Sequence, residues 1–208
     1  MEGRRNPFVA QEGIPFLLIA AGAFILALRY FDIALAVAAA ALFFVLLLVF
    51  RDPRRVVPAS PLGVVSPVDG RVVSIDLADR GVLHGEAHRV TIRIDSLGTY
   101  TARSPVEGQI KDLRSVATER VGEYRTNALW VQTDEGDDVV VEFRGYRLGL
   151  PPKSFIGFGQ RVGQGQRCAY LRLTRFAELH LPIETKILVE AGQVLVAGQD
   201  LIGKLTHR

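Results

Sequence analysis

Phe50-Arg51-Asp52-Pro53-Arg54-Arg55, followed shortly by Ser66-Pro67-Val68-Asp69-Gly70, divides this sequence into two unlike parts. Before it, residues 14–28 and 33–50 are apolar and uncharged; after it, charges, β-branched residues and glycines are mixed. Residues 33–50 would extend about 27 Å as a helix, close to the ~30 Å hydrocarbon core of a bilayer. The first part therefore predicts an α-helical transmembrane hairpin over residues 14–50, turning at Arg29-Tyr30-Phe31-Asp32. Arg4 and Arg5 precede this hairpin, and Arg51, Arg54 and Arg55 follow it. By the positive-inside rule both ends face the cytoplasm, which places the chain in the cytoplasmic (inner) membrane. Arg51, Arg54 and Arg55 are then expected at the level of anionic lipid headgroups, each attracted by about 1 kcal/mol.

The remaining boundaries follow from this division. Residues 1–13 form a polar N-terminus, 51–62 a juxtamembrane linker stiffened by Pro53 and Pro58, and 63–208 one domain. The 208 residues are 49% hydrophobic with a formal charge of +3. Mean hydropathy is +0.21, which suits a folded domain with an apolar segment attached. That charge is too small, and its arginines too scattered, for a nucleic-acid partner. Cys168 is the single cysteine, so neither an internal disulfide nor a cysteine-based metal site is available.

From residue 63 onward the pattern is that of a mainly β domain. Alternating or β-branched runs at 71–77, 89–95, 129–133, 139–143, 167–173 and 186–189 are separated by Gly-, Pro- and Asp-rich breakers. Residues 111–125 and 176–181 fit either helix or strand. An internal repeat sharpens the pattern: Ser66-Pro67-Val68-Asp69-Gly70-Arg71-Val72 recurs as Ser104-Pro105-Val106-Glu107-Gly108-Gln109-Ile110. Gly159-Gln160-Arg161-Val162-Gly163-Gln164-Gly165-Gln166 is echoed by Gly192-Gln193-Val194-Leu195-Val196-Ala197-Gly198-Gln199. Each copy reads as a strand and turn in which glycine supplies positive φ. Together they predict two interleaved half-barrels of the barrel-sandwich-hybrid kind found in biotinyl and lipoyl domains. A carrier role is excluded, because no lysine stands at a hairpin tip in either copy.

From residue 51 to 205 the chain resembles the phosphatidylserine decarboxylase family, in its short form with an N-terminal membrane hairpin. Phe50-Arg51-Asp52-Pro53-Arg54-Arg55 and Ser66-Pro67-Val68-Asp69-Gly70 are similar to the family's F-R-D-P-x-R and S-P-A-D-G. Arg103-Ser104-Pro105-Val106-Glu107-Gly108 is similar to R-x-P-x-x-G, and Asn127 stands where N-E-R begins. The resemblance implies Asp69 as a catalytic aspartate and Arg103 and Asn127 as substrate-pocket residues. It also implies a self-cleaving Gly-Ser bond whose serine becomes a pyruvoyl group, the electron sink for decarboxylation. Several positions depart from that pattern, among them Gly98, Ala128, Leu129, Gly149 and Leu150, and three bear on the chemistry. Tyr100 stands at the family histidine, and Thr174-Arg175 stands at the Gly-Ser pair; no Gly-Ser dipeptide occurs in the chain.

Three functions follow as expectations. The first is a membrane-anchored family relative without its own pyruvoyl chemistry, binding anionic phospholipid, or forming a homodimer or pairing with an active relative. No cofactor belongs to that reading. The second is an active phosphatidylserine decarboxylase, making phosphatidylethanolamine by atypical processing and carrying a pyruvoyl group. The third is a structural membrane adaptor. His84, His88 and His180 share no metal-ligand spacing, so no metal is expected. His180, between Leu179 and Leu181, is expected to point outward from a strand.

Overall fold

A computed structural model describes residues 9–10, 13–78, 86–96, 98–112, 127–145 and 152–206. The chain separates into two units, residues 1–54 and 55–208.

In the first unit, helices α1 (Ile14–Tyr30) and α2 (Ile33–Val49) contain 17 residues each. Ala20, Ala27 and Ala36 are buried, as close packing of two helices requires. The stacked rings of Phe16 and Phe50, 5.6 Å apart, fasten the start of α1 to the end of α2. The expected transmembrane hairpin is not borne out. No helix among the described residues is long and apolar enough to cross a membrane. Seventeen residues extend only about 25 Å, short of the ~30 Å core. The apolar runs continue past the helices themselves. Phe31 is already extended, and Phe50 leaves helical geometry after Val49. The inferred orientation rested on a spanning hairpin and has no support without one.

The second unit is β throughout. Its strands are β1 (Gly63–Val65), β2 (Gly70–Ala78), β3 (Ala87–Ile94), β4 (Thr101–Arg103), β5 (Gly108–Asp112), β6 (Asn127–Gln132), β7 (Asp138–Arg144), β8 (Lys153–Ser154), β9 (Arg161–Val162), β10 (Arg167–Tyr170), β11 (Phe176–Pro182), β12 (Lys186–Ile187), β13 (Val194–Leu195) and β14 (Leu201–Lys204). They form an eight-stranded sheet ordered β13-β2-β3-β11-β7-β6-β5-β9 and two three-stranded sheets, β1-β14-β12 and β4-β10-β8. All pairings are antiparallel. The core is filled by alternate residues, including Val90, Ile92, Val139, Val141, Leu179 and Leu181.

The sequence repeat reappears as paired hydrogen bonds. Val65 N donates to Pro105 O at 2.9 Å, and Arg103 N to Pro67 O at 2.8 Å. The hydroxyls of Ser66 and Ser104 each donate to a carbonyl two residues on, at 2.7 and 2.8 Å. Gly198 N reaches Ser66 O, and Gly165 N reaches Ser104 O, both at 2.8 Å. Gly159, Gly165, Gly192 and Gly198 all have positive φ, as the turn reading requires. Gly70 and Gly108 are absent from the positive-φ glycines. They are needed for space instead: a Cβ there would collide with the carbonyl oxygens of Arg93 and Gln132 respectively.

The eight-stranded sheet follows the same duplication. It reads as β13-β2-β3-β11 and β9-β5-β6-β7, joined where β11 pairs with β7. The ambiguous residues 176–181 thus fall within β11, a central strand. Most of 111–125 lies outside the described residues.

Candidate functional site

The end of β3, the turn after it and the approach to β11 enclose a cavity of about 300 Å³. Its lining includes Arg93, Ser96, Tyr100, Thr174 and Arg175. Tyr100 and Arg175, which replace the histidine and serine implied by the resemblance, therefore meet in one cavity. Backbone pairing holds them there. Leu171 N donates to Tyr100 O at 2.7 Å, and Ile94 N to Arg175 O at 2.8 Å. The Tyr100 hydroxyl donates to Ser96 O at 2.8 Å. Thr174 closes a tight turn, its Oγ1 donating to Leu171 O at 2.6 Å. Arg172, inside that turn, has φ +54, a left-handed conformation unusual for a side-chain-bearing residue.

Asp69 borders the turn after β3, since its carbonyl accepts from Asp95 N at 3.0 Å. Its carboxylate accepts four hydrogen bonds. Oδ2 takes Arg55 Nη2 at 2.8 Å, Thr99 N at 2.9 Å and Thr99 Oγ1 at 2.8 Å. Oδ1 takes Ala197 N at 2.7 Å. A carboxylate offers about four lone-pair directions, so this one has little capacity left for a fifth proton donor. Arg55, expected at lipid headgroups, is thus turned to Asp69 and only 16% exposed at its side chain.

The other expected site residues lie elsewhere. Arg51 and Arg54 are exposed in the first unit. Arg103 is 2% exposed and not on the cavity. Its Nη1 donates to Gly165 O at 3.0 Å, and its stem runs beside Gly198, so it pins both repeat turns. Asn127 opens β6, and its side chain lies outside the described residues, as does His84. Cys168 is buried in the core, where desolvation pushes its thiol pKa up to about 12; the nearby Arg103 charge opposes that shift.

A second polar group is formed by Glu142 on β7 and by Glu178 and His180 on β11. Their ligand atoms all lie within 4.8 Å of one another. His180 does not point to solvent as expected but is 2% exposed. The reason is its place on a central strand, flanked by β3 and β7. Burial lowers its pKa, an effect that Glu142 opposes and that Arg144 and Arg89 reinforce. Burial likewise raises that of Glu178, against the attraction of Arg144. Spacing along the sequence hides this group, because Glu142 joins the other two only through strand pairing.

A pyruvoyl group does not fit the residues present. By the resemblance it would arise at position 175, where an arginine has no hydroxyl to attack the Thr174 carbonyl. Tyr100 occupies the position of the histidine that would serve as base, and Asp69 is already engaged by four donors. These side chains support no step through such a group.

No family model matches the chain. Among curated proteins, the phosphatidylserine decarboxylase proenzyme of Nitrosomonas europaea is 33% identical over 214 residues, covering 96% of each chain. That of Symbiobacterium thermophilum is 32% identical and covers 99% of each. That of Burkholderia cenocepacia is 29% identical, over 96% of this chain and 97% of its own. Among solved structures, the glucose permease IIA of Mycoplasma capricolum overlaps 68% of this chain and 94% of its own. Its TM-score is 0.46 and its identity 18%, too little to carry an argument.

Proposed function

The chain belongs to the phosphatidylserine decarboxylase family, and we propose that it is a member without self-processing that uses its cavity to bind the headgroup of an anionic phospholipid. The observation carrying this reading is the meeting of Tyr100 and Arg175 in the cavity at the two positions where the reaction would need its base and its nucleophile. Arg93, Arg175, Ser96 and Tyr100 all line the cavity, two residues that carry guanidinium groups and two that carry hydroxyls. Guanidinium pairs phosphate and carboxylate in bidentate fashion, so a phosphoserine headgroup matches this lining in charge and donor type. About 300 Å³ lies at the small end of ligand pockets, a size suited to a headgroup rather than a whole lipid.

Intact mass and liposome binding test the reading together. The purified chain is expected as one species near 22.8 kDa, releasing no carbon dioxide from phosphatidylserine. It is expected to float with phosphatidylserine vesicles, and Arg93→Glu combined with Arg175→Glu to weaken that flotation at least about tenfold relative to wild type. A break between Thr174 and Arg175, or borohydride-sensitive release of carbon dioxide, would establish the active enzyme instead. Flotation unaffected by the double variant would remove the cavity from lipid binding.

A further inference from the structure

We infer that Glu142, Glu178 and His180 form a binding site for a divalent transition-metal ion, zinc being the best match, that joins the two halves of the large sheet. Glu142 lies directly opposite Glu178 in the β7–β11 register. His180 lies two residues beyond Glu178, so a strand's alternation puts its ring on the same face. The three side chains present one imidazole nitrogen and two carboxylates within 4.8 Å of one another. Around a tetrahedral zinc ion with bonds of about 2.0–2.2 Å, donor atoms stand roughly 3.4 Å apart.

The second observation concerns His180 itself. It is 2% exposed, and among the described residues neither Nδ1 nor Nε2 has a hydrogen-bond partner. Its nearest carboxylate oxygen, Glu178 Oε2, is 4.0 Å from Nε2, beyond hydrogen-bonding distance. Buried imidazoles are ordinarily satisfied, and an orphaned one aimed at two carboxylates is what an ion-binding site looks like without its ion. An imidazole with two carboxylates suits zinc or manganese and disfavours calcium, which takes oxygen ligands. Three protein ligands also leave a coordination position for water or substrate.

Arg144 now occupies the cation's place in part. Its Nη2 is 2.7 Å from Glu142 Oε2 and 3.2 Å from Glu178 Oε2. Its side chain is 44% exposed, so it can turn outward as a metal enters. Arginine and metal are therefore alternative counter-ions to the same carboxylates.

The test uses the full-length, tag-free chain, stripped with chelator and titrated with zinc chloride, and separately with cobalt(II) as a visible-absorbing reporter. One zinc per chain is expected, with thermal stabilisation on binding. His180→Gln and Glu142→Gln should each weaken binding by more than the roughly 10- to 100-fold that loss of an outer-shell partner brings. Arg144→Met should strengthen it, and Asp134→Asn, on the exposed β6–β7 turn, should leave it unchanged. Two results would overturn the site: wild type taking up no more zinc than His180→Gln, or Arg144→Met losing zinc binding. Either would make the triad a buried ion pair that depends on Arg144. Should a glutamine variant fail to fold, zinc binding to the wild-type chain still decides, because a metal-stripped chain that takes up less than one zinc and gains no thermal stability excludes the site.

Discussion

Asp69 ties four donors from three separated segments: Arg55, Thr99 and Ala197. Replacing it with alanine leaves the Arg55 guanidinium and two buried N–H groups without their acceptor. Asp69→Ala should lower stability by about 3 kcal/mol, read as a fall in urea midpoint at unchanged m-value. Asp69→Asn should lower it less, since an amide oxygen still accepts two of the four. The residue's role was only half legible in the sequence. Its motif located it beside the site, because an acid before glycine marks a turn. Its partners were invisible, because Ala197 is far along the chain and Arg55 looked like a lipid contact. Tyr100 and Arg175 were more legible: counting along matched motifs placed them at two roles of one site, and folding brings them into one cavity.

Among the elements, the repeated strand-and-turn units carry the clearest signal and the clearest test. Gly70 and Gly108 hold equivalent places, each pressed against a neighbouring strand's carbonyl. Gly70→Ala and Gly108→Ala should each destabilise by about 2–3 kcal/mol in chemical unfolding, because the backbone must move to admit the methyl group. Gly136→Ala, at φ +92 with open space around it, should lose only about 1 kcal/mol of conformational energy. A repeat is readable because the same hydrogen bonds select the same residues twice. The helical pair was less readable, since apolar runs do not say where a helix stops. β11 was ambiguous for a related reason. Its alternation of Glu178 and His180 with leucines describes a strand with one wet face, yet pairing on both sides buries it.

For the molecule as a whole, the division between residues 54 and 55 sets a boundary that can be cut. A chain beginning at Arg55 should unfold in one cooperative transition, followed by circular dichroism in urea. One beginning at Val56 loses the 2.8 Å ion pair to Asp69 and should be less stable by roughly 1–3 kcal/mol. Strand lengths at the sheet margins have a different consequence. The eight-stranded sheet ends in β13 and β9, two residues each, and the smaller sheets end in strands of two or three. β13 pairs only Gly70 and Arg71 of the nine-residue β2, so residues 73–78 have no partner strand on that side among the described residues and leave main chain on which a foreign strand can dock. Among the described residues, then, the far half of β2 is where this β-rich chain offers a template for sheet extension.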